Sequence, residues 1–402
     1  MDFASRLPTE FGLVGLIVEA ILFSVTGIVT LIAFIAVRRW YRGRHFQRLS
    51  ERTFALRSQW NDILSGTVPA ASWRLKPLDC EIVESILLDR LELAALPEEL
   101  PPLLNCLRNS GLLDMRIRQA RAERGWKRRA ALVTLGRTRA PEAVPALAEA
   151  LRAEDEETRI AAVRGLGQTE LAAAAIPVIE NLLWGSRPIP DHIIKNALLN
   201  CCHNSPGILL RYLKESTGRA RVLLARVLGE LATPELGEDL ILLATDSDAE
   251  VRASAARAMG NSLPAFALPV LSAMVTDSEW FVRLRAVVAL GSINHSGRIR
   301  PLLRALCDAN RHVRLRAAWV LAQLGSNLDD IFNQVVETRD NYAVQAFISE
   351  LERSGAIEDL IKALEKRDGQ NQAHQILLET LHATRHNIAH GVKFLSASAG
   401  AH

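Results

Sequence analysis

The sequence is poor in cysteine, poor in aromatic residues and nearly balanced in charge, and each shortage argues against a class of protein. The five cysteines are odd in number, scattered and without C-x-x-C spacing, which predicts reduced, buried thiols of a cytosolic compartment. Aromatic residues form only 5% of the chain while Ala, Leu and Arg dominate, a balance that favours helices over β-sheet. A formal net charge of +3 gives no support to nucleic-acid binding.

Signatures of common enzyme classes are also missing. The sequence has no glycine-rich phosphate loop after a strand, no G-x-S-x-G elbow and no H-E-x-x-H motif. Absence of motifs weakens an enzymatic interpretation without excluding it. We therefore expect a protein that is not an enzyme and that carries no cofactor.

One long hydrophobic run stands near the start of the chain. Residues 11–37 are apolar apart from Glu19, and this is more than the roughly 20 residues that a membrane-spanning helix needs. A secretory signal would have a shorter core with basic residues before it. The run predicts one transmembrane helix, in which Glu19 lies either at the outer headgroups or in an ion pair with a partner helix. Ala20 and Ser24 form a weak small-xxx-small signal for self-association.

Basic residues follow this run instead of preceding it. Arg38 and Arg39 open the stretch RRWYRGRHFQR, whereas Arg6 is the only basic residue before the run. The positive-inside rule then places the N-terminus outside and the rest of the chain in the cytoplasm. Trp40 and Tyr41 suit the interfacial aromatic belt. The sequence predicts a single-pass inner (plasma) membrane protein, and its repeats, rich in Ala and Arg, favour a bacterial membrane.

A 31-residue repeat organises most of the remaining chain. One position is arginine in six units: Arg128, Arg159, Arg221, Arg252, Arg283 and Arg314. A second position is small: Gly136, Gly167, Gly229, Gly260, Gly291 and Ala322. Apolar residues between them follow the stripe of an amphipathic helix, and a second helical pattern comes after each small residue. Such helical hairpins bury their stripes only by stacking, so the repeat predicts an all-α solenoid.

The pattern D-x-x-x-x-V-R-x-x-A-A-x-x-L-G resembles HEAT repeats, in the short form shared with phycobilin-lyase-type proteins. An aspartate precedes the arginine by six residues in three units, where it can cap the following helix and can bridge to a guanidinium of the neighbouring repeat. The resemblance implies a structural ladder of these residues: Asp246, Arg252, Asp277, Arg283, Asp308 and Arg314. HEAT-fold hydroxylases bind iron through His-Glu pairs, but this sequence has no His-Glu dipeptide. No pocket residues transfer from the lyases.

The resemblance is best between about 125 and 325, and it suggests a division of the chain. We predict a short external N-terminus (1–10), the transmembrane helix (11–37), juxtamembrane helices with a degenerate capping repeat (38–124), HEAT-like repeats (125–330), irregular C-terminal helical repeats (331–392) and a disordered tail (393–402). One unit departs from the pattern. Residues 186–205 put Pro190 where arginine recurs, which is either a hinge or partner contact or simple sequence drift.

The densest charge lies between Arg116 and Arg139, close to the predicted membrane. Its candidate contact residues are Arg116, Arg118, Arg121, Arg124, Lys127 and Arg129. Anionic lipid headgroups, an acidic partner, or only solvent would suit such a basic face. Arg121, Arg124 and Arg128 are expected to share one helical face.

Three histidines near the C-terminus, His382, His386 and His390, are spaced at i, i+4 and i+8. Imidazoles at this spacing can share a metal ion, but a polar surface helix has the same pattern, so no metal is assigned.

Together these features predict a membrane-anchored scaffold or regulatory subunit. Its cytoplasmic solenoid would bind a membrane protein or complex, such as a polysaccharide synthase or transport machine. The alternative is a lyase-like enzyme or ligand-binding protein that uses the concave face of the solenoid.

Overall fold

The computed structural model describes residues 7–93, 98–325, 328–367 and 373–381. These residues form α-helices, short 3-10 turns and loops, with no β-strand among them. The chain divides into two compact units, Met1–Arg118 and Gln119–His402. The predicted all-α fold is confirmed.

The first unit is built on one long helix, α1. The helices in order are α1 (Leu7–Ser58), α2 (Trp60–Ser65), α3 (Ala71–Arg74), α4 (Pro77–Leu93), α5 (Leu100–Asn109) and α6 (Leu112–Ala122), the last of which ends beyond Arg118. The C-terminal part of α1 packs on α4. Arg52 of α1 donates Nε to Oδ1 of Asp79 at 2.9 Å, and the Asp79 side chain is buried. The ion pair and the packing join α1 to the rest of this unit.

The apolar part of α1 is exposed along its length. All side chains from Ala20 to Val37 face solvent, and the hydroxyl of Thr26 donates to the backbone oxygen of Leu22 at 2.7 Å. This helix is long and apolar enough to cross a membrane, which is compatible with a single-pass anchor and with a signal sequence. The predicted span continues without a break into the predicted juxtamembrane helix, so both belong to α1. The side chain of Glu19 lies outside the described residues.

The second unit stacks helices in two layers. The first layer contains α7 (Gly125–Arg137), α9 (Glu156–Gln168), α11 (Asp191–Cys202), α13 (Gly218–Leu231), α15 (Ala249–Ser262), α17 (Trp280–Ser292), α19 (Arg311–Ala322) and α21 (Asn341–Ser354). The second layer contains α8 (Val144–Ala150), α10 (Ala172–Trp184), α12 (Gly207–Glu215), α14 (Gly237–Ala244), α16 (Ala267–Met274), α18 (Ile299–Leu306), α20 (Leu328–Glu337) and α22 (Ile357–Arg367). Consecutive first-layer helices pack directly on one another, which confirms the predicted solenoid. A further helix covers 373–381.

Small residues allow the first-layer helices to approach closely. A Cβ atom at Gly136 of α7 would lie 2.5 Å from the Cα of Gly165 in α9, the next helix of the first layer. A Cβ atom at Gly167 of α9 would lie 2.7 Å from the Cα of Ala197 in α11. Real Cβ atoms do not approach other atoms so closely, so a larger side chain would force the helices apart. The repeated small position therefore sets the helix spacing.

Two details of the turns come from the tertiary structure. The sharp exit from the first-layer helix comes three residues after the glycine, where Arg139, Glu170 and Leu263 adopt positive φ. Pro177 does not lie in a first helical turn. It is inside α10, because the alanine-rich start of that helix adds a turn before the proline.

The degenerate unit keeps its place in the stack. Pro190 is the residue before α11, where its missing N–H costs no helical hydrogen bond. Ile193 and Ile194 of α11 are buried, and the helix packs on both neighbours in the first layer. Arg219 of α13 donates Nη2 to the backbone oxygen of Ile189 at 2.8 Å, which ties the turn to the following repeat.

Candidate functional site

An arginine–aspartate ladder crosses three junctions between repeats. Arg252 donates Nε to Oδ2 of Asp277 at 2.8 Å and Nη2 to Oδ1 at 2.9 Å. Arg283 makes the same pair of bonds to Asp308, at 2.6 and 2.9 Å. Arg221 donates Nε to Oδ2 of Asp246 at 3.0 Å. Each carboxylate lies 25 residues after its arginine, in the next repeat.

The third guanidinium nitrogen is used within the repeat. Nη1 of Arg252 donates to the backbone oxygen of Asp246 at 2.9 Å, and Nη1 of Arg314 donates to that of Asp308 at 2.7 Å. Within one repeat, the arginine therefore contacts the backbone oxygen of the aspartate six residues before it and not its carboxylate. Each carboxylate pairs with the arginine of the preceding repeat. Each arginine therefore binds both the loop of its own repeat and the aspartate of the next repeat.

The ladder aspartates cap turns and not helices. Oδ1 of Asp246 accepts the N–H of Asp248 at 2.9 Å, and α15 begins only after Asp248, whose own carboxylate accepts the N–H of Glu250. The expected helix cap at Asp246 was wrong by two residues. In the next rung, hydrogen bonds from Arg252 hold the pKa of the Asp277 carboxyl below its usual value, although burial opposes this shift.

The ladder is interrupted in the earlier repeats. The positions 25 residues after Arg128 and Arg159 hold Ala153 and Trp184 instead of aspartate. The Nε atoms of both arginines are buried, and neither has a hydrogen-bond partner among the described residues. The side chain that would satisfy each guanidinium is missing from the repeat that should supply it.

A cleft of about 820 Å³ opens beside the second interruption, between α8 and α10. Its charged and aromatic lining consists of Glu149, Arg152, Glu154, Glu180, Trp184 and Arg187. Trp184 ends α10 and is 69% exposed. The proline-containing turn of the degenerate unit follows it directly.

Aromatic residues gather on the first layer near the other end of the stack. This aromatic face consists of Trp280, Phe281, His312, Leu315, Trp319 and Tyr342, all exposed or half-buried. The rings of Trp280 and His312 lie 5.8 Å apart. The guanidinium of Arg316 lies 5.1 Å from the ring centre of Trp319. Trp280 and His312 belong to successive repeats, so the packing of α17 on α19 brings their rings together.

The sequence matches the model of HEAT repeats over residues 113–190, 206–291 and 268–352, which is more than half of the chain. The chain belongs to the HEAT-repeat family. The match stops at 190 and resumes at 206, so the skipped residues lie in the degenerate unit.

Several solved structures resemble this HEAT-repeat chain. An engineered protein is 18% identical, with a TM-score of 0.36, and the match covers 77% of this chain and 96% of that one. The complex of CpcE and CpcF of phycocyanin lyase from Nostoc sp. is 21% identical, with a TM-score of 0.24 and coverage of 55% and 92%. Human deoxyhypusine hydroxylase is 17% identical, with a TM-score of 0.26 and coverage of 61% and 98%. No curated protein matches the sequence.

The predicted basic contact surface is partly neutralised. Arg116 donates Nε to Glu84 at 2.7 Å, Arg121 pairs with Glu149 at 3.1 Å, and Arg129 pairs with Asp155 and Glu157. Arg118, Arg124 and Lys127 are exposed. The expected common face of Arg121, Arg124 and Arg128 was wrong, because α6 ends at Ala122 and Gly125 begins α7 with a φ of +58°.

At the predicted membrane boundary, Arg38, Arg39, Trp40 and Tyr41 are exposed on α1, and the guanidinium of Arg44 lies 4.0 Å from the ring centre of Trp40. The three candidate metal ligands His382, His386 and His390 lie outside the described residues. Within the part of the chain that the structure describes, no group of three or more His, Cys, Asp or Glu side chains is arranged to hold a metal ion.

The cysteines are free thiols in different surroundings. Cys201 and Cys202 are buried in the degenerate unit, and burial raises their pKa to about 12 and about 11. Cys106 is buried as well, but Cys307 is exposed, contrary to the expectation of buried thiols. Cys307 directly follows α18, and the sequence pattern does not show whether a side chain at that position points into the core or towards solvent.

Two functional features were missed by sequence reasoning. The aromatic face had a readable signal, because Phe281 and His312 are 31 residues apart and Trp280 and Tyr342 are 62 apart, but the sequence does not show which side of each helix is exposed. The interrupted ladder had a readable signal, because Ala153 and Trp184 stand 25 residues after an arginine. Only the packing shows that the guanidinium groups are buried.

Proposed function

We propose that this HEAT-repeat protein is a membrane-anchored scaffold that holds a partner protein at the cytoplasmic face of the inner membrane. The partner would be a membrane enzyme or transport complex with a cytoplasmic domain, such as a polysaccharide synthase. The aromatic face is the observation that supports partner binding most directly. Trp and Tyr are enriched among the residues that contribute most to binding energy at protein interfaces, and Trp280, Trp319 and Tyr342 are all exposed here.

The anchor is supported by the chemistry of α1. Its apolar surface is exposed from Ala20 to Val37, and the Thr26 hydroxyl finds its hydrogen-bond partner within the same helix, as a lipid environment requires. Basic residues follow the span, which favours a cytoplasmic solenoid. Because α1 runs unbroken to Ser58 and packs on α4, the span is continuous with a folded unit.

The anchor is tested by washing membranes at alkaline pH and by measuring the intact mass of the chain. We expect the full-length chain to remain in the membrane and its solenoid to be digested only when protease reaches the cytoplasmic side. A mature chain that has lost the apolar part of α1 would identify a signal sequence and contradict the anchor.

Partner binding is tested by gentle solubilisation of the tagged full chain and identification of co-purified proteins. We expect stoichiometric recovery of one membrane complex. The substitution Trp319→Ala should lower the amount of recovered complex by about tenfold or more. The matched control is Trp126→Ala, because Trp126 is 70% exposed on the same layer but lies outside the aromatic face. Recovery of the chain alone, with a bound metal or chromophore, would favour the lyase-like alternative.

A further inference from the structure

A polar groove opens in the first layer at the degenerate unit. It lies between α9 and α11 and has a volume of about 200 Å³. Three of its lining residues are buried and close it towards the core: Gly167, Ile193 and Ala197. The other five are exposed side chains with polar ends: Arg164, Gln168, His192, Asn196 and Asn200. The groove is therefore open to solvent and lined by hydrogen-bonding groups.

The groove exists because α11 meets α9 one position later than the repeat predicts. At three other junctions a first-layer glycine faces the residue 29 positions after it: Gly136 faces Gly165, Gly260 faces Ala289 and Gly291 faces Val320. Gly167 instead faces Ala197, which is 30 positions after it. Asn196 is therefore exposed, although the residues at its place in five other first-layer helices are buried: Gly165, Val227, Ala258, Ala289 and Val320.

Arg164 supplies a positive charge that the chain does not neutralise. The same repeat position is basic in the next three units, and each of those side chains is paired with a glutamate: Lys195 and Arg257 with Glu230, and Arg226 with Glu250. Arg164 makes no ion pair among the described residues, and no carboxylate lines the groove. The groove therefore differs from its neighbours in having an arginine available to another molecule.

Carboxylates that lie near the groove in the sequence are already bound. Asp191 accepts a hydrogen bond from Nε of Arg219 at 2.8 Å, and Glu170 is paired with Arg139. An acidic group of another molecule would meet Arg164 without competition from these two side chains. Charge complementarity therefore favours an acidic ligand.

The carboxamides suit the main chain of a peptide. Each carboxamide both donates and accepts hydrogen bonds, as a peptide backbone does. Asn196 and Asn200 are one helical turn apart, about 6 Å along α11. Residues that face the same way in an extended peptide repeat every 6.6 Å or about that distance, so successive backbone groups match this spacing.

The size of the groove also favours a peptide over a small molecule. Small-molecule sites typically enclose about 300–1,000 Å³ and bury most of the ligand. The groove has only about 200 Å³ and is open along its exposed side chains. It therefore suits a short part of a longer chain that continues beyond it.

We propose that this groove binds an extended segment of the partner protein that carries an acidic residue. Gln168, Asn196 and Asn200 bind the main chain of the segment, and Arg164 pairs with its carboxylate. Backbone hydrogen bonds supply affinity in such recognition, and the side-chain contact supplies selectivity. This inference rests on the proposed function, because the segment belongs to the same partner.

The probes are three sets of blocked pentapeptides. The first set has glutamate at the centre and a mixture of serine, threonine, alanine and valine at the other positions. The second set has glutamine at the centre, and the third set has glutamate with N-methylated backbone amides. Each set is passed over the immobilised full chain in mild detergent, and the retained peptides are quantified by mass spectrometry.

We expect the glutamate set to be retained about fivefold more strongly than the glutamine set, because only glutamate can form an ion pair with Arg164. N-methylation removes the backbone donors, so the third set should be retained more weakly than the first. Equal retention of the first and third sets would contradict backbone recognition. No retention of the glutamate set would overturn the proposal.

Arg164→Gln should remove the preference for glutamate over glutamine. The matched control is Arg226→Gln, because Arg226 holds the same repeat position and is exposed but lies outside the groove. The control should keep the preference. Loss of the preference in both variants would show that the peptides respond to the overall charge of the layer and would contradict the assignment to the groove.

Asn196→Val tests the groove itself, since valine is the residue that Val227 and Val320 place at this position in other repeats. It should lower the retention of the glutamate set by about fivefold, because it removes a carboxamide and fills part of the groove. Circular dichroism and the melting temperature show whether each variant is folded. Unchanged retention by folded Asn196→Val would contradict the inference, and the exposed substitution Arg164→Gln keeps the test decisive if Asn196→Val does not fold.

The same variants separate this inference from the proposed function. If a co-purified complex is lost with Trp319→Ala but retained with Arg164→Gln and Asn196→Val, the scaffold stands and the peptide groove is wrong. If the peptides bind as expected but no partner complex is recovered with the natural chain, the scaffold proposal fails while the groove remains.

Discussion

Arg252 holds Asp277 of the following repeat through two parallel hydrogen bonds of 2.8 and 2.9 Å. The same guanidinium holds its own loop through the backbone oxygens of Asp246 and Ser247. Removal of the Arg252 guanidinium or of the Asp277 carboxylate therefore weakens both a turn and a junction between repeats.

Asp277→Asn should lower the free energy of unfolding by about 2 kcal/mol, because it leaves a largely buried guanidinium without its charge partner. Glu250→Gln is the matched control. Glu250 pairs with Arg226 across another junction at 3.0 Å, but both side chains are nearly half exposed, so we expect a change below about 0.5 kcal/mol. Denaturant unfolding of the full chain measures both. Equal effects would contradict a special role for the ladder.

The stability supplied by Asp277 should depend on pH. Its pKa is lower in the folded chain, so the contribution is complete above the unfolded pKa of about 4 and is lost as pH falls through the folded value. The difference in melting temperature between the natural chain and Asp277→Asn should be largest near neutral pH. It should disappear as the pH falls below about 4. A difference in melting temperature that stays constant down to pH 2 would show that it does not arise from the charge of the Asp277 carboxylate.

Gly136→Ala should destabilise the solenoid by about 2 kcal/mol, because the new Cβ would lie 2.5 Å from the Cα of Gly165. Gly207→Ala provides the comparison, since Gly207 starts α12 and a Cβ there would have no atom within 4 Å. That variant should be neutral or more stable by about 0.5 kcal/mol. Thermal unfolding measures both, and an equal loss in the two would argue against helix spacing as the cause.

Cys307 should react with iodoacetamide faster than Cys201 and Cys202 in the folded protein, because its side chain is exposed, although partial burial of the thiol raises its pKa as well. Burial excludes the reagent from Cys201 and Cys202 and raises their pKa to about 12 and about 11, so almost no thiolate forms at pH 8. Peptide mapping by mass spectrometry reads the labelled positions. Labelling of all three in denaturant is the control, and rapid native labelling of Cys201 would show that the degenerate unit opens.

Much of the fold was predictable because its determinants are local. The amphipathic stripe and the small residue recur in each unit, and a helical hairpin with an unpaired apolar face has to stack. The ladder aspartates were identified from the HEAT resemblance. A bridge from a neighbouring repeat's guanidinium to each aspartate was expected, and the structure shows that the arginine of the preceding repeat makes it.

Turn details were less predictable. Arg139, Glu170 and Leu263 adopt positive φ although none is glycine. Tertiary packing overrides the preference of these residues, since the chain has to reverse within a few positions to return the next helix to the stack.

By itself the sequence determined the helical class, the period of the repeat, the position of the apolar segment and the missing aspartates at 153 and 184. Local propensity and spacing encode all of these directly. Only the tertiary structure decided that the rings of Trp280 and His312 meet and that Arg159 is buried with its Nε unpaired. Those relations join residues of different repeats, and the packing of whole helices sets their distances.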